Sequence, residues 1–154
     1  ELRFASVSDL LATDLGLAAA AWAQAEPAKR DMIESKAIFL HARSRDRSTV
    51  QAIAAWETDT SDIDVQAFDA KGERNGATTS QALDGFGPEA LDLATDVKRV
   101  SALNAVVRLQ RKGTGGDVLG VVHVVRHDGK GNVTIDPRPF TIMNEGTVLD
   151  LGAL

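Results

Sequence analysis

Residues 117–132 read DVLGVVHVVRHDGKGN. From Val118 to Arg126 both alternating sets of positions are largely apolar. A strand that is apolar on both faces is a central strand with both faces covered. The link DGKGN is turn chemistry, and VTID (133–136) resumes an extended pattern, so a hairpin is expected here. A chain built around such a strand folds in layers.

The first 43 residues can supply one of those layers. SVSDLLATDLGLAAAAWAQA (6–25) has the pattern of a helix, with Ser6 and Asp9 placed as a capping box. Leu11, Leu15, Ala18, Trp22 and Ala25 fall on one stripe, widened by Leu10, Leu17 and Ala21. The small side chains from Ala18 to Ala21 allow close approach of a second helix, from within the chain or from another subunit. Pro27 suits the first turn of a second helix with Glu26 at its N-cap, and Ile33, Ala37, Leu40 and His41 share one face of it.

After RSRDRS (43–48) the period changes to two. STVQAIAAW places Val50, Ala52, Ala54 and Trp56 on one face of a strand, and SDIDVQAFDAKG does the same for Ile63, Val65 and Ala67 before the turn Asp69–Gly72. Residues 73–88 have no clear period and predict a long loop. GPEALDLATDVKRV (87–100), opened by Pro88 and Glu89, predicts a short helix. NAVVRLQR (104–111), GTGG, the run from Asp117, and short strands in FTIM and TVLDL complete the order, with Pro137 and Pro139 forcing a break or an edge position. The GTGG and DGKGN links both suggest hairpins.

The expectation is therefore one α+β domain over residues 1–154. Helices occupy 6–43, strands 49–69, a loop and helix 73–100, and strands 104–151. The sheet is mostly antiparallel, with a long N-terminal helix and a second helix packed on it.

Composition narrows the function classes. The formal net charge is −5, with no run of Lys or Arg, so the electrostatic term that nucleic-acid binding needs is missing. Stacking platforms are equally poor, with no Tyr, five Phe and two Trp. The absence of Cys excludes disulfides, thiolate metal sites and Cys nucleophiles. No apolar stretch approaches the ~20 residues of a membrane helix. The chain opens on Glu1 and not Met, so it is expected to be a piece of a longer one, whose membrane segments would lie outside it.

No motif of a catalytic site stands out. His123 and His127 share a strand face, but zinc requires further ligands, and neither a metal nor a cofactor is expected. Glu57, Asp59, Asp62 and Asp64 lack the glycine an EF-hand loop requires, and HDGKGN places cations where that loop needs oxygen ligands. RKGTGGD joins two strands, so its amides have no helix dipole behind them. Arg108 sits mid-strand, where a covered face would demand an anionic partner, and Arg is the side chain best shaped to hold a carboxylate in two parallel bonds. Trp56 and Phe68 are the aromatic candidates for a pocket wall. With His123 they complete the candidate ligand-binding set of Trp56, Phe68, Arg108 and His123.

Taken together, the long N-terminal helix, the strand in TVQAIAAWETD, the strand and D-x-x-G turn in DVQAFDAKGERNG, and the later GDVLGVVHVV resemble a known family. They are similar to the extracytoplasmic PAS-like (Cache or PDC) sensor domains of bacterial receptors, over residues 6–127. The residues after His127 would add strands to that pattern. The resemblance implies a PAS-like fold and a non-enzymatic, periplasmic sensory domain of a membrane-anchored parent. It implies a small-molecule ligand such as an amino acid or carboxylate, and a homodimer through the N-terminal helix.

Two other readings use the same order of elements. One is a cytoplasmic NTF2-like pocket protein, either an isomerase or dehydratase or a binding module, in which His123 could serve as a general base. The other is an assembling structural subunit.

Overall fold

The structure, a computed structural model, describes residues 5–43, 48–57, 61–68, 74–75, 77–80, 88–94, 106–112 and 116–153. The helices are α1 (Ala5–Ala25) and α2 (Arg30–Phe39), joined through a 3-10 turn at Pro27–Lys29. The strands are β1 (Ser48–Trp56), β2 (Asp62–Phe68), β3 (Arg74–Asn75), β4 (Ala77–Ser80), β5 (Glu89–Ala94), β6 (Val106–Lys112), β7 (Val118–Asp128), β8 (Val133–Ile142) and β9 (Val148–Ala153).

The strands form two antiparallel sheets, in the orders β4-β5-β1-β7-β8 and β3-β2-β6-β9. Alternation decides what each face buries. Val50, Ala52 and Ala54 of β1, Leu91 and Leu93 of β5, and Val118, Val122 and Val124 of β7 face inward from the first sheet. Ile63, Val65, Ala67 and Leu109 meet them from the second, and Phe140 and Ile142 of β8 close one side. The chain is thus an α+β fold whose strands pack as two layers, with the helices outside them.

The strand faces expected in 49–69 are the observed ones. Three other expectations change. Residues 89–94 of the predicted helix form β5, because Glu89, Leu91 and Leu93 alternate with Ala90 and Asp92 and pair with β1. Tertiary pairing overrides the helix-opening signal of Pro88 and Glu89. The rest of that helix, the Asp69–Gly72 turn and most of the 73–88 loop lie outside the described residues. GTGG does not close a hairpin, since β6 and β7 belong to different sheets. Of the two options expected for Pro137 and Pro139, the edge position is the observed one, but VTID and FTIM are not separate strands: β8 runs through both prolines as the edge strand of its sheet, where no outer neighbour needs their missing N–H.

DGKGN is the expected hairpin turn. Gly129 (φ 78°) and Gly131 (φ 104°) adopt left-handed backbone. Asp128 accepts from the Lys130 and Asn132 amides at 2.7 and 3.1 Å and from the Asn132 side chain. The Asn132 side chain and the Lys130 amide hold the Asp128 carboxyl below its ordinary pKa. The turn also seats α1. A Cβ at Gly131 would lie 2.6 Å from the Ala20 carbonyl oxygen, and Gln24 Nε2 donates to Asn132 Oδ1 at 2.9 Å. At the far edge of the same sheet α1 lies against β4. The helix therefore crosses the outer face, where Gln51, Ala90, Val125 and His127 are buried.

Candidate functional site

α1 has two stripes. Leu10, Thr13, Gly16 and Ala23 are buried against the rest of the chain. Leu11, Leu15, Ala18, Trp22 and Ala25, the stripe that the sequence spacing picks out, face solvent. A helix that is apolar nearly all round is normally buried all round, so the exposed outer stripe is the unusual feature of α1. α2 adds to it. Ile38 and Phe39 are 76% and 81% exposed, and Leu40, just past the helix end, is exposed as well. Ile33 is the buried anchor of α2, whereas Leu40 and His41 leave the face they were expected to share with it. His41 takes φ 56°, which turns the chain back. Arg43 then donates its backbone N–H to the Ala12 carbonyl at 2.8 Å, bringing the end of α2 to the N-terminal half of α1.

Glu26 fixes the corner between the helices. Its carboxylate accepts the Trp22 indole N–H at 2.9 Å and pairs with Lys29. It does not cap the following turn with its side chain. Lys29 first, and then Trp22, hold the Glu26 carboxyl below its ordinary value of 4.5. These contacts are therefore complete above pH 4.5 and are lost only as the pH falls through the lowered value. In a Trp56→Phe background, Trp22 emission should stay constant from neutral pH to 4.5 and change below it. Glu26→Gln should remove that acid step; a step above 4.5, or one that survives the substitution, contradicts the arrangement.

Register separates the four candidate ligand residues. Trp56 lies on the inner face, half-buried against the core, and its Nε1–H donates to the Ser61 carbonyl at 3.0 Å. His123 pairs with Ile53 and Pro137 and so lies on the outer face of the first sheet. Phe68 is half-buried on the outer face of the second sheet, at the end of β2. Arg108 is placed on β6 between Gln66 and Asp150, and its side chain lies outside the described residues. Trp56, His123 and Phe68 thus lie on three different faces, and position 108 shares by register the face of Phe68. His127, on the His123 face, is buried, and its Nδ1 accepts the Gly129 N–H at 3.3 Å.

Among the described residues, one group of three potential metal ligands comes together, and it contains no histidine. Asp62, Asp64 and Glu89 bring carboxylate oxygens within 4.8 Å of one another. Hard cations such as Ca²⁺ prefer this donor set. The geometry also gives Glu89 a structural task, since Oε2 accepts the Val65 amide at 2.8 Å, two residues before the β2–β3 pairing begins at Ala67. Asp62 and Asp64 are visible in the sequence as an acidic alternation. Glu89 reads in the sequence as part of a helix start after Pro88, so its meeting with them is not legible there.

The arginines that matter most to the architecture are Arg111 and Arg138. Arg111, on β6, is 1% exposed and donates to the Gly116 and Ile142 carbonyls at 2.6 and 3.4 Å. Arg138, on β8, pairs with Asp136 and donates to the Leu151 carbonyl at 3.1 Å. Each ties one sheet to the other. Comparison with protein-family models, curated proteins and solved structures gives no match to this chain. No helix among the described residues is long and apolar enough to cross a membrane.

Proposed function

We propose that this chain is a non-catalytic, ligand-binding sensory domain that passes a conformational change through α1. The two-sided helix supports this reading. Its inner stripe is seated on the β7–β8 turn and the first sheet, and its outer stripe is left for a partner. Such a helix can transmit a shift of the sandwich to whatever its outer stripe grips. Following the family resemblance, the ligand is a small amino acid or carboxylate, and the domain sits outside the cytoplasm on a membrane-anchored parent. The ligand acts only to the extent that it binds one arrangement more tightly than the other. An assembling subunit without a ligand is the second reading, favoured by the dispersal of Trp56, Phe68, Arg108 and His123.

Thermal unfolding across a panel of amino acids and carboxylates tests the sensory reading. A true ligand at a hundredfold excess over its Kd adds about 2.7 kcal/mol. A stabilising compound whose effect weakens in Arg108→Ala would place that guanidinium in the site. No shift from any compound, in a chain that still associates through α1, overturns the sensory reading in favour of the assembling subunit.

A further inference from the structure

We infer that the corner at the end of α2, from Lys36 to Arg43, is a membrane-docking tip whose partner is an anionic lipid surface. The inference goes beyond the sensory reading and does not depend on a ligand.

The apolar part of the tip is Ile38, Phe39 and Leu40. They are consecutive in sequence and 76%, 81% and 53% exposed. Ile38 and Phe39 are the two most exposed large apolar side chains among the described residues. Successive residues of a helix point ~100° apart, so these side chains leave the corner in different directions. A groove on another protein takes one face of a helix. Side chains that splay from a helix end are covered together only by a medium that closes around the end. The boundary between lipid headgroups and acyl chains does this.

The corner is held on both sides. Ile33, buried, anchors α2 before it. After it, the Arg43 N–H donates to the Ala12 carbonyl of α1 at 2.8 Å. Between them His41, at φ 56°, reverses the chain. The reversal also closes the helix end. Leu40 N–H donates to the Lys36 carbonyl at 3.0 Å, Ala42 N–H to that of Ala37 at 2.9 Å, and His41 N–H to that of Ile38 at 3.0 Å. A helix leaves its last four carbonyls open, and here those of Lys36, Ala37 and Ile38 are bonded within the chain. A backbone closed in this way can enter an apolar medium, where its polar groups find no water.

Charge gives the sign of the surface. From Ser35 to Arg43 the chain carries Lys36 and Arg43, with His41 between them, and no acidic residue. Lys36 and His41 are exposed and Arg43 is half-buried. The acidic residues of α2 lie further back. Asp31 is in its first turn, and the Glu34 carboxylate is 4.0 Å from the Arg30 guanidinium. At 1.5 Å per residue they are about 10 and about 6 Å behind Ile38. On α1, Asp14 lies just beyond the Ala12 contact. Further along the sequence come Arg45, Asp46 and Arg47. Basic residues therefore outnumber acidic ones around the tip, in a chain of net charge −5. An apolar tip with a basic collar suits an anionic bilayer, whose acyl boundary takes the side chains and whose phosphates take the cations. The stripe on α1 lacks this collar, since residues 5–25 contain no Lys or Arg. Docking of the tip sets the helical hairpin, and α1 with it, at the lipid surface.

Vesicle flotation tests this. One set of vesicles holds phosphatidylcholine and phosphatidylglycerol in equal parts, the other phosphatidylcholine alone. The wild-type chain is expected to float with the mixed vesicles and about tenfold less with phosphatidylcholine, because each basic residue near an anionic surface is worth about fivefold. Phe39→Ser should lower binding to the mixed vesicles at least about tenfold, the equivalent of burying one large apolar side chain, and leave the circular dichroism unchanged. Lys36→Gln should lower it about fivefold on the mixed vesicles only. Phe39→Trp should be quenched by lipids brominated in their acyl chains, beyond the quenching of the wild type. No flotation with the mixed vesicles overturns the proposal. Flotation that survives Phe39→Ser overturns it too, and its loss in Leu15→Ser would then put the lipid on α1. A lower sedimentation mass for Phe39→Ser without vesicles would put a second copy on the tip and overturn it as well. A ligand panel without a hit bears only on the sensory reading.

Discussion

Gly120→Ala should lower the stability of the fold by about 1–3 kcal/mol, the cost of forcing extra volume into a filled core. Gly120 stands in the middle of the first sheet, paired with Trp56 on one side and Phe140 on the other. A Cβ at this position would sit 2.5 Å from the Ala55 carbonyl oxygen and overlap the Phe140 ring. The ring could rotate away, but the carbonyl belongs to the β1 backbone, so β1 and β7 would have to move apart. Gly116→Ala is the control, because a Cβ there meets nothing within 4 Å. Urea unfolding of the two variants should show a lower midpoint for Gly120→Ala alone. Equal midpoints would mean that the Phe140 ring is not packed over Gly120.

Arg111→Ala should cost about 3 kcal/mol, through the cavity left by a large buried side chain and the loss of charge-assisted hydrogen bonds. The Arg111 side chain is enclosed between the sheets, and its guanidinium holds the carbonyls of Gly116, just before β7, and Ile142, at the end of β8. Its own backbone is also engaged. Its N–H donates to the Thr147 carbonyl at 3.2 Å, and its carbonyl accepts from Gly146 at 3.1 Å. Arg111→Met keeps most of the stem and should lose less, since a volume-matched apolar residue also removes the burden of a buried charge. Unfolding midpoints in the order wild type, Met, Ala are expected. An Ala variant as stable as the wild type would show that the two sheets are held together by their apolar faces alone.

Much of this architecture was legible from local pattern. Alternation placed Val50, Ala52, Ala54, Ile63, Val65 and Ala67 on the faces they occupy, because the strand period does not depend on which strands pair. The stripe on α1 was equally legible, but not its direction. The helix is apolar on opposite sides, and spacing alone does not say which side meets the sheet. Pairing was the level that failed. Nothing in GTGG distinguishes a hairpin from a crossover between sheets, and Pro88-Glu89 reads as a helix start until β1 and β4 are there to claim the segment.

The candidate ligand set meets the same limit. Side-chain chemistry points to Trp56, Phe68, Arg108 and His123, but register sets these positions on three faces. The polar residues that do close the structure, Glu89, Arg111 and Arg138, act across sheets, over separations in sequence that no local window spans.

The central claim, that the outer stripe of α1 is a covered surface in the working protein, is tested most directly by sedimentation equilibrium over a wide concentration range. The account expects the mass of the wild-type chain to rise from 16.4 kDa toward twice that value, and Leu15→Glu to hold it at the lower one. A wild-type chain that stays at the monomer mass at every concentration would contradict it.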